Sequence, residues 1–177
     1  YKIVIENIIY VALVQFFGLL APFITYPYLI EVLGLDLYGV VISAQILVSY
    51  ATILIDFGSN SICAKNVSIN RDNKQILSEI LSAVLLVRLK IWFICLFFYL
   101  FLVLLIPVYR EYVLLFALSY LMTTNELLFP QFFYQGLEKM KIISILNVLV
   151  KLLFISLIFL FVNKKSDYIL VPVLYSI

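Results

Sequence analysis

Apolar residues run along this chain in long stretches separated by short polar turns. A helix needs about 20 mostly apolar residues to cross a bilayer. Five stretches meet that length: near Asn7 to Val32, Val40 to about Ala64, about Ile80 to Ile106, Tyr112 to Tyr134, and Ile142 to Val162. A sixth begins at Tyr168 and is still apolar at Ile177. Continuous runs such as Ile91 to Val108 lack the ten-residue alternation of a membrane β-barrel. The pattern predicts an all-α, polytopic transmembrane helical bundle of about five and a half helices. Opening at Tyr1 and stopping inside an apolar run, residues 1–177 read as one partial transmembrane domain of a longer protein. The predicted connections are Gly34–Gly39, Lys65–Glu79, Pro107–Glu111, Gly136–Lys141 and Asn163–Asp167.

The polar positions inside the runs are themselves periodic. Gln45, Ser49, Thr52, Asp56, Ser59 and Cys63 recur at spacings of three and four, which places them on one helical face. Ser119, Thr123, Glu126, Pro130 and Tyr134 repeat the pattern in the fourth run. Gln15, Gly18, Pro22 and Thr25 do so in the first, and Ser144, Asn147 and Lys151 in the fifth. Small polar residues commonly glue membrane helices together. Charges at mid-membrane are more costly, roughly 2.5–3.5 kcal/mol each on insertion scales, and are usually paired or turned to a polar cavity. Asp56, Arg88, Glu126 and Lys151 are the candidates. Arg88 with Lys90 has the alternative of snorkelling to the interface. Lys151, roughly 14 Å into its helix, either pairs with Asp56 or Glu126 or faces a cavity. Pro130 lacks an N–H and so frees the Glu126 carbonyl, which makes a kink beside a carboxylate and a candidate cation site. Pro22 and Pro27 are candidate flexible points in the first helix.

Composition narrows the chemistry. Of the residues, 66% are hydrophobic and only 12% charged, against about half and a quarter in soluble domains. The net charge of +2 is too small for a whole-chain attraction to nucleic acid. There is no histidine, and the two cysteines, Cys63 and Cys95, form no metal motif. Neither a phosphate-binding glycine loop nor a nucleophile–base pair is present. No catalytic residue, metal ligand or cofactor is expected. On one side of the predicted topology stand Lys2, Lys65, Arg71, Lys74, Lys139 and Lys141, and on the other Arg110, Lys164 and Lys165. The positive-inside rule then puts the N-terminus in the cytoplasm.

Four segments in order carry a family resemblance. Pro22-Phe23-Ile24-Thr25-Tyr26-Pro27-Tyr28-Leu29, followed by Val32-Leu33-Gly34 and Tyr38-Gly39, resembles the opening of bacterial polysaccharide flippases. Asp56-Phe57-Gly58-Ser59-Asn60 resembles their second-helix motif. Phe129-Pro130-Gln131-Phe132-Phe133-Tyr134-Gln135-Gly136 with Glu138-Lys139-Met140-Lys141 is the most specific piece, and Phe161 to Asp167 is a fourth. These are the Wzx-type O-antigen translocases of the multidrug/oligosaccharidyl-lipid/polysaccharide superfamily. Many relatives carry Arg at the end of the first motif, where this chain has Glu31.

The resemblance implies the N-terminal lobe of a two-lobe transporter of about twelve helices, with the C-terminal lobe outside these residues. It implies translocation of undecaprenyl-diphosphate-linked repeat units from the cytoplasmic to the periplasmic leaflet of the bacterial inner membrane, by alternating access. Partners would be the lipid-linked saccharide, membrane lipid, and the polymerase and chain-length regulator of the same pathway. Arg88, Lys151 and Asn147 are the expected diphosphate and sugar contacts. Gln15, Gln45, Thr52, Asp56 and Glu126 are expected to line the cavity or couple an H+ or Na+ ion, and Pro22, Pro27 and Pro130 to act as hinges. A cation-coupled drug antiporter, which would work through Asp56 and Glu126, stays open as a second reading. So do a polymerase of the pathway and a purely structural scaffold.

Overall fold

A computed structural model describes residues 2–176, and the side chains of all but 2–9, 11, 13 and 142. No strand occurs among the described residues. Along the described residues, ten helices and two short 3-10 turns follow one another. Five spans are long and apolar enough to cross a membrane: Val14–Leu33, Leu35–Ile69, Lys74–Leu105, Val113–Gly136 and Ile143–Phe161. The all-α, multi-pass architecture expected from the pattern is what the chain adopts.

The long elements are α1 (Lys2–Leu33), α2 (Leu35–Asp56), α4 (Lys74–Leu105) and α9 (Met140–Phe161). At 1.5 Å per residue, α4 is roughly 48 Å long and outreaches a hydrocarbon core of about 30 Å. Its outer face presents Phe93, Phe97, Phe98, Phe101 and Leu105 to the surroundings. In lipid that exposure carries no hydrophobic cost, because the solvent is as apolar as the side chain. α1 packs along α9, and α2 along α4. The main core gathers Leu29, Leu33, Val41, Val48, Ile55, Val103, Phe116 and Ile158, all buried. A second, smaller core holds Val67, Leu77, Val84 and Phe132.

Three expectations are corrected. The second run is not one helix. α2 stops at Asp56, Phe57 and Gly58 take left-handed φ values of 39° and 77°, and α3 (Ser59–Ile69) begins anew. Glycine tolerates that conformation at little steric cost. The fourth run is likewise broken into α6 (Val113–Ser119), a 3-10 turn (Tyr120–Thr123), α7 (Thr124–Leu128) and α8 (Gln131–Gly136). Proline restricts its predecessor to extended backbone, and Phe129 has φ −101° and ψ 98°. By contrast, α1 remains helical across both Pro22 and Pro27.

The third correction concerns the turns, which are shorter than the polar stretches suggested. Gly34 alone separates α1 from α2, at φ 83°. Lys65–Glu79 is mostly helical, with only Asn70–Asn73 between α3 and α4. Asn73 caps α4, accepting from the backbone N–H groups of Gln75 (3.1 Å) and Ile76 (3.2 Å). Pro107–Glu111 forms a one-turn helix, α5, and after a 3-10 turn at Lys165–Ile169 the chain enters α10 (Leu170–Tyr175).

Two glycines show which turns share an end. A Cβ on Gly136 would meet the Ala64 carbonyl oxygen at 2.6 Å, so α8 touches the backbone of α3 there. A Cβ on Gly34 would lie 4.0 Å from the Lys165 ammonium, so the α1–α2 and α9–α10 turns meet. Lys65, next to Ala64, thus stands near the Gly136 turn that leads to Lys139 and Lys141, and Lys165 stands near Gly34.

Candidate functional site

The charged positions expected at mid-membrane fall into two adjoining places. The first is a buried node around Arg88. Its side chain is fully buried, and its Nη2 lies 2.8 Å from Asp56 Oδ1 and 3.1 Å from Glu126 Oε1. Nε and Nη2 also donate to Ser59 Oγ, at 3.0 and 2.6 Å, and Nη2 to Asn60 Oδ1 at 3.2 Å. The guanidinium carbon sits 5.5 Å from the centre of the Phe132 ring, within cation–π reach. Nη1 donates to the Glu126 carbonyl at 2.6 Å. That is the carbonyl freed by Pro130, so the helix break and the arginine satisfy each other.

The break between α2 and α3 also serves this node. Asp56 Oδ1 accepts from Ser59 Oγ (3.1 Å) and from the Asn60 N–H (3.2 Å) in the first turn of α3. Asn60 Nδ2 donates across to Glu126 Oε1 at 3.1 Å. Arg88 therefore ties α4 to the α2–α3 junction and to α7. The planar fork of an arginine can serve several acceptors at once, which a lysine ammonium matches poorly.

The second place is a cavity of about 400 Å³ between α1, the α7–α8 break, α9 and α10. This is within the size range of small-molecule sites. Lys151, Asn147, Glu126 and Pro22 line it, with Gly18, Asn125, Gln131, Phe154 and Tyr175. Lys151 Nζ donates to the Val14 carbonyl at 3.4 Å, and no carboxylate lies within ion-pair distance of it among the described residues. A Cβ on Gly18 would come within 2.7 Å of that nitrogen, so the glycine makes room for the ammonium beside α1. Asn147 Nδ2 donates to the Ile143 carbonyl at 3.1 Å. Glu126 belongs to both places: its carboxylate holds Arg88 and Asn60, and its outer edge borders the cavity.

The predicted residues divide accordingly. Lys151 and Asn147, read as substrate contacts, face one cavity with Glu126. Arg88 stands behind them, enclosed by its partners, and does not line the cavity. The ion pair considered for Lys151 with Asp56 or Glu126 is made by Arg88 instead. Asp56 also stays out of the cavity lining. Gln15 is exposed on α1 and does not line the cavity, and Thr52 Oγ1 donates to the Val48 carbonyl of its own helix at 3.1 Å. Gln45 is half-buried beside Tyr175. Asn125, Gln131, Phe154 and Tyr175 were not anticipated. Asn125 and Gln131 flank the Pro130 break, and a helix break exposing polar neighbours was the available signal. Phe154 and Tyr175 carried none, since an aromatic in an apolar run reads as core or lipid contact.

The comparisons with known proteins agree with the resemblance. The model of the family described as "Polysaccharide biosynthesis protein" matches residues 4–177. The chain is 31% identical over 162 residues to a candidate O-antigen transporter of Escherichia coli (strain K12), covering 92% of this chain and 39% of that protein. It is 30% identical over 166 residues to another candidate O-antigen transporter, from Shigella dysenteriae, covering 93% of this chain and 41% of that protein. The chain thus spans about two fifths of the length of the curated relatives it matches. No solved structure is significantly similar to it. With its helical spans, its four ordered motifs and a family match over nearly its whole length, the chain belongs to the polysaccharide biosynthesis protein family of multi-pass membrane proteins.

Proposed function

We propose that these residues form the N-terminal lobe of a flippase for undecaprenyl-diphosphate-linked saccharides. The lobe sits in the bacterial inner membrane with its N-terminus in the cytoplasm, and carries the repeat unit to the periplasmic leaflet by alternating access. One observation supports this most: Lys151, a cation without a carboxylate partner among the described residues, borders a cavity inside the membrane-spanning part. An unpaired charge there is costly. An anionic ligand offsets that cost, and at 4 Å with an effective dielectric near 20 one charge pair is worth about 4 kcal/mol. Asn147 and Gln131 add polar groups able to bond phosphate or sugar oxygens. The similar candidate O-antigen transporters point to the same substrate class.

Arg88 takes no part in this binding. Its charge is already matched by two carboxylates, so it has little left to offer a diphosphate. The reading needs no resident cofactor or metal. The cation-antiporter alternative keeps one observation in its favour, the carboxylate of Glu126 at the cavity edge, but that carboxylate already serves Arg88 and Asn60.

The test is to delete the gene in its host and ask in which leaflet lipid-linked repeat units collect. Single units trapped in the cytoplasmic leaflet, with surface polysaccharide lost, are the expected result. Units that reach the periplasmic leaflet and stay unpolymerised would instead assign a polymerase.

A further inference from the structure

Gly18, Gly39 and Gly136 lie within helices, and a side chain would meet something different at each. A Cβ on Gly136 would strike the Ala64 carbonyl oxygen and the Val67 side chain, both at 2.6 Å, so that glycine serves the packing of α8 on α3. A Cβ on Gly39 would meet nothing within 4 Å. On Gly18 it would meet one side chain, Lys151, with Nζ at 2.7 Å and Cε at 4.0 Å. The space that Gly18 leaves open is therefore taken by a charge rather than by packed structure. The ammonium lies there against α1, donating to the Val14 carbonyl one turn earlier at 3.4 Å. A bond of that length is weak, so it guides the ammonium without fixing it. Pro22, one turn later, has no N–H to give the Gly18 carbonyl. This stretch of α1 thus offers more backbone acceptor than an unbroken helix, which suits a cation. Gly18, Pro22 and Lys151 all line the cavity.

We propose that Gly18 is a positioning residue for the anionic headgroup: it gives the Lys151 ammonium a notch in α1, at the cavity wall, from which the charge meets the diphosphate. An ammonium carries three donors. Val14 takes one, and the others are free to turn to an anion. A lysine stem of four carbons leaves its charge many positions, and the notch selects one of them. Pre-organisation of that kind lowers the ordering cost of binding. The proposal rests on the flippase reading above and deepens it, because it names what places the cation in the site. The size of the effect follows from distance. A methyl at Gly18 displaces the ammonium by about 1 Å, and moving a unit charge from about 4 to about 5 Å from its partner, at an effective dielectric near 20, costs about fourfold in affinity.

The test measures Kd for undecaprenyl diphosphate on the protein at its natural length in lipid nanodiscs. Wild type, Gly18→Ala, Lys151→Gln and the double variant are compared, with thermal unfolding of each read alongside. Gly18→Ala should bind about three- to tenfold more weakly than wild type. Its melting temperature should stay equal or rise, because the methyl meets only the end of a flexible side chain and alanine favours a helix over glycine. In the Lys151→Gln background the same methyl should cost no further affinity, since a residue that acts through Lys151 has no charge left to place. Binding by Gly18→Ala as tight as wild type, or tighter, overturns the proposal. Equal weakening in both backgrounds also overturns it, as does a clear fall in melting temperature, because Gly18 would then be a packing residue. Those results leave the flippase reading intact. Failure of wild type to bind, or wild-type binding by Lys151→Gln, removes that reading and this proposal with it.

Discussion

At the scale of single residues, Arg88 and Lys151 show how similar charges acquire opposite roles. Both are basic groups inside apolar helices. Arg88 lies fully enclosed between Asp56, Glu126, Ser59 and Asn60, and its energetic value lies in not leaving partners stranded. Removing one member of a buried ion pair typically costs about 3–5 kcal/mol. Here the carboxylates keep 26% and 23% side-chain exposure, so the lower end of that range applies to their residual charge. Arg88→Met should lower the thermal stability of the inserted protein by about 3 kcal/mol. Arg88→Lys should restore only part of it, since one ammonium cannot reach both carboxylates, Ser59 and the Glu126 carbonyl together. Melting curves of the purified variants check this, and full stability in Arg88→Met would show that the node is dispensable. Sequence could place both residues in the membrane but could not tell them apart. Partner choice depends on which helices pack side by side, and α4 meets the α2–α3 junction and α7 through contacts 28 to 38 residues distant in sequence.

At the scale of elements, the breaks matter more than the helices. The five spans were legible because long apolar runs have few alternatives in lipid. The interruptions at Phe57–Gly58 and Phe129–Pro130 were hidden inside those runs. Pro130 signalled its break, and the freed carbonyl proved to be a ligand of Arg88. Gly58 gave only a weak signal, since a lone glycine in a membrane helix is common. The polar stripe from Gln45 to Cys63 was read as one face of one helix. It is two short faces joined at a left-handed turn, and the turn is what brings Asp56 and Ser59 onto the same guanidinium.

The α9–α10 turn shows a different kind of local control. Asp167 accepts from the backbone N–H groups of Asn163 (3.1 Å) and Lys164 (2.9 Å), and from Ser166 Oγ (3.2 Å). These bonds, that from Asn163 first, hold its carboxyl below the usual carboxylate range. A group whose folded pKa is depressed stabilises the fold above its unfolded pKa, about 3.9, and loses that contribution as pH falls through the lower folded value. Hydrogen exchange at the Asn163 and Lys164 amides should therefore be slow at neutral pH and accelerate, relative to the other turns, only in strong acid. Asp167→Asn should abolish that relative pH dependence. Identical profiles in wild type and variant would show that the carboxylate does not hold the turn.

At the scale of the whole molecule, the chain is a bundle with a largely apolar outer surface in which part of the polar stripes meets at one node and one cavity, while Gln15 and Ser49 stay exposed. The node fastens α2, α3, α4 and α7, and the cavity opens where α1, α9 and α10 meet the broken fourth span. Sequence supplied the class, the spans and the candidate cavity charges. It did not supply which polar faces meet, because stripe periodicity fixes a face only relative to its own helix. The account depends most on Lys151 being the cation that holds the anionic headgroup. The direct measurement is flipping of the lipid-linked repeat unit in a deletion strain complemented with wild type, Lys151→Gln or Lys151→Arg, at matched levels of inserted protein. Lys151→Gln should lose transport at least tenfold, as expected for one charge contact worth more than about 1.4 kcal/mol. Lys151→Arg should retain a substantial share. Wild-type transport by Lys151→Gln would contradict the account.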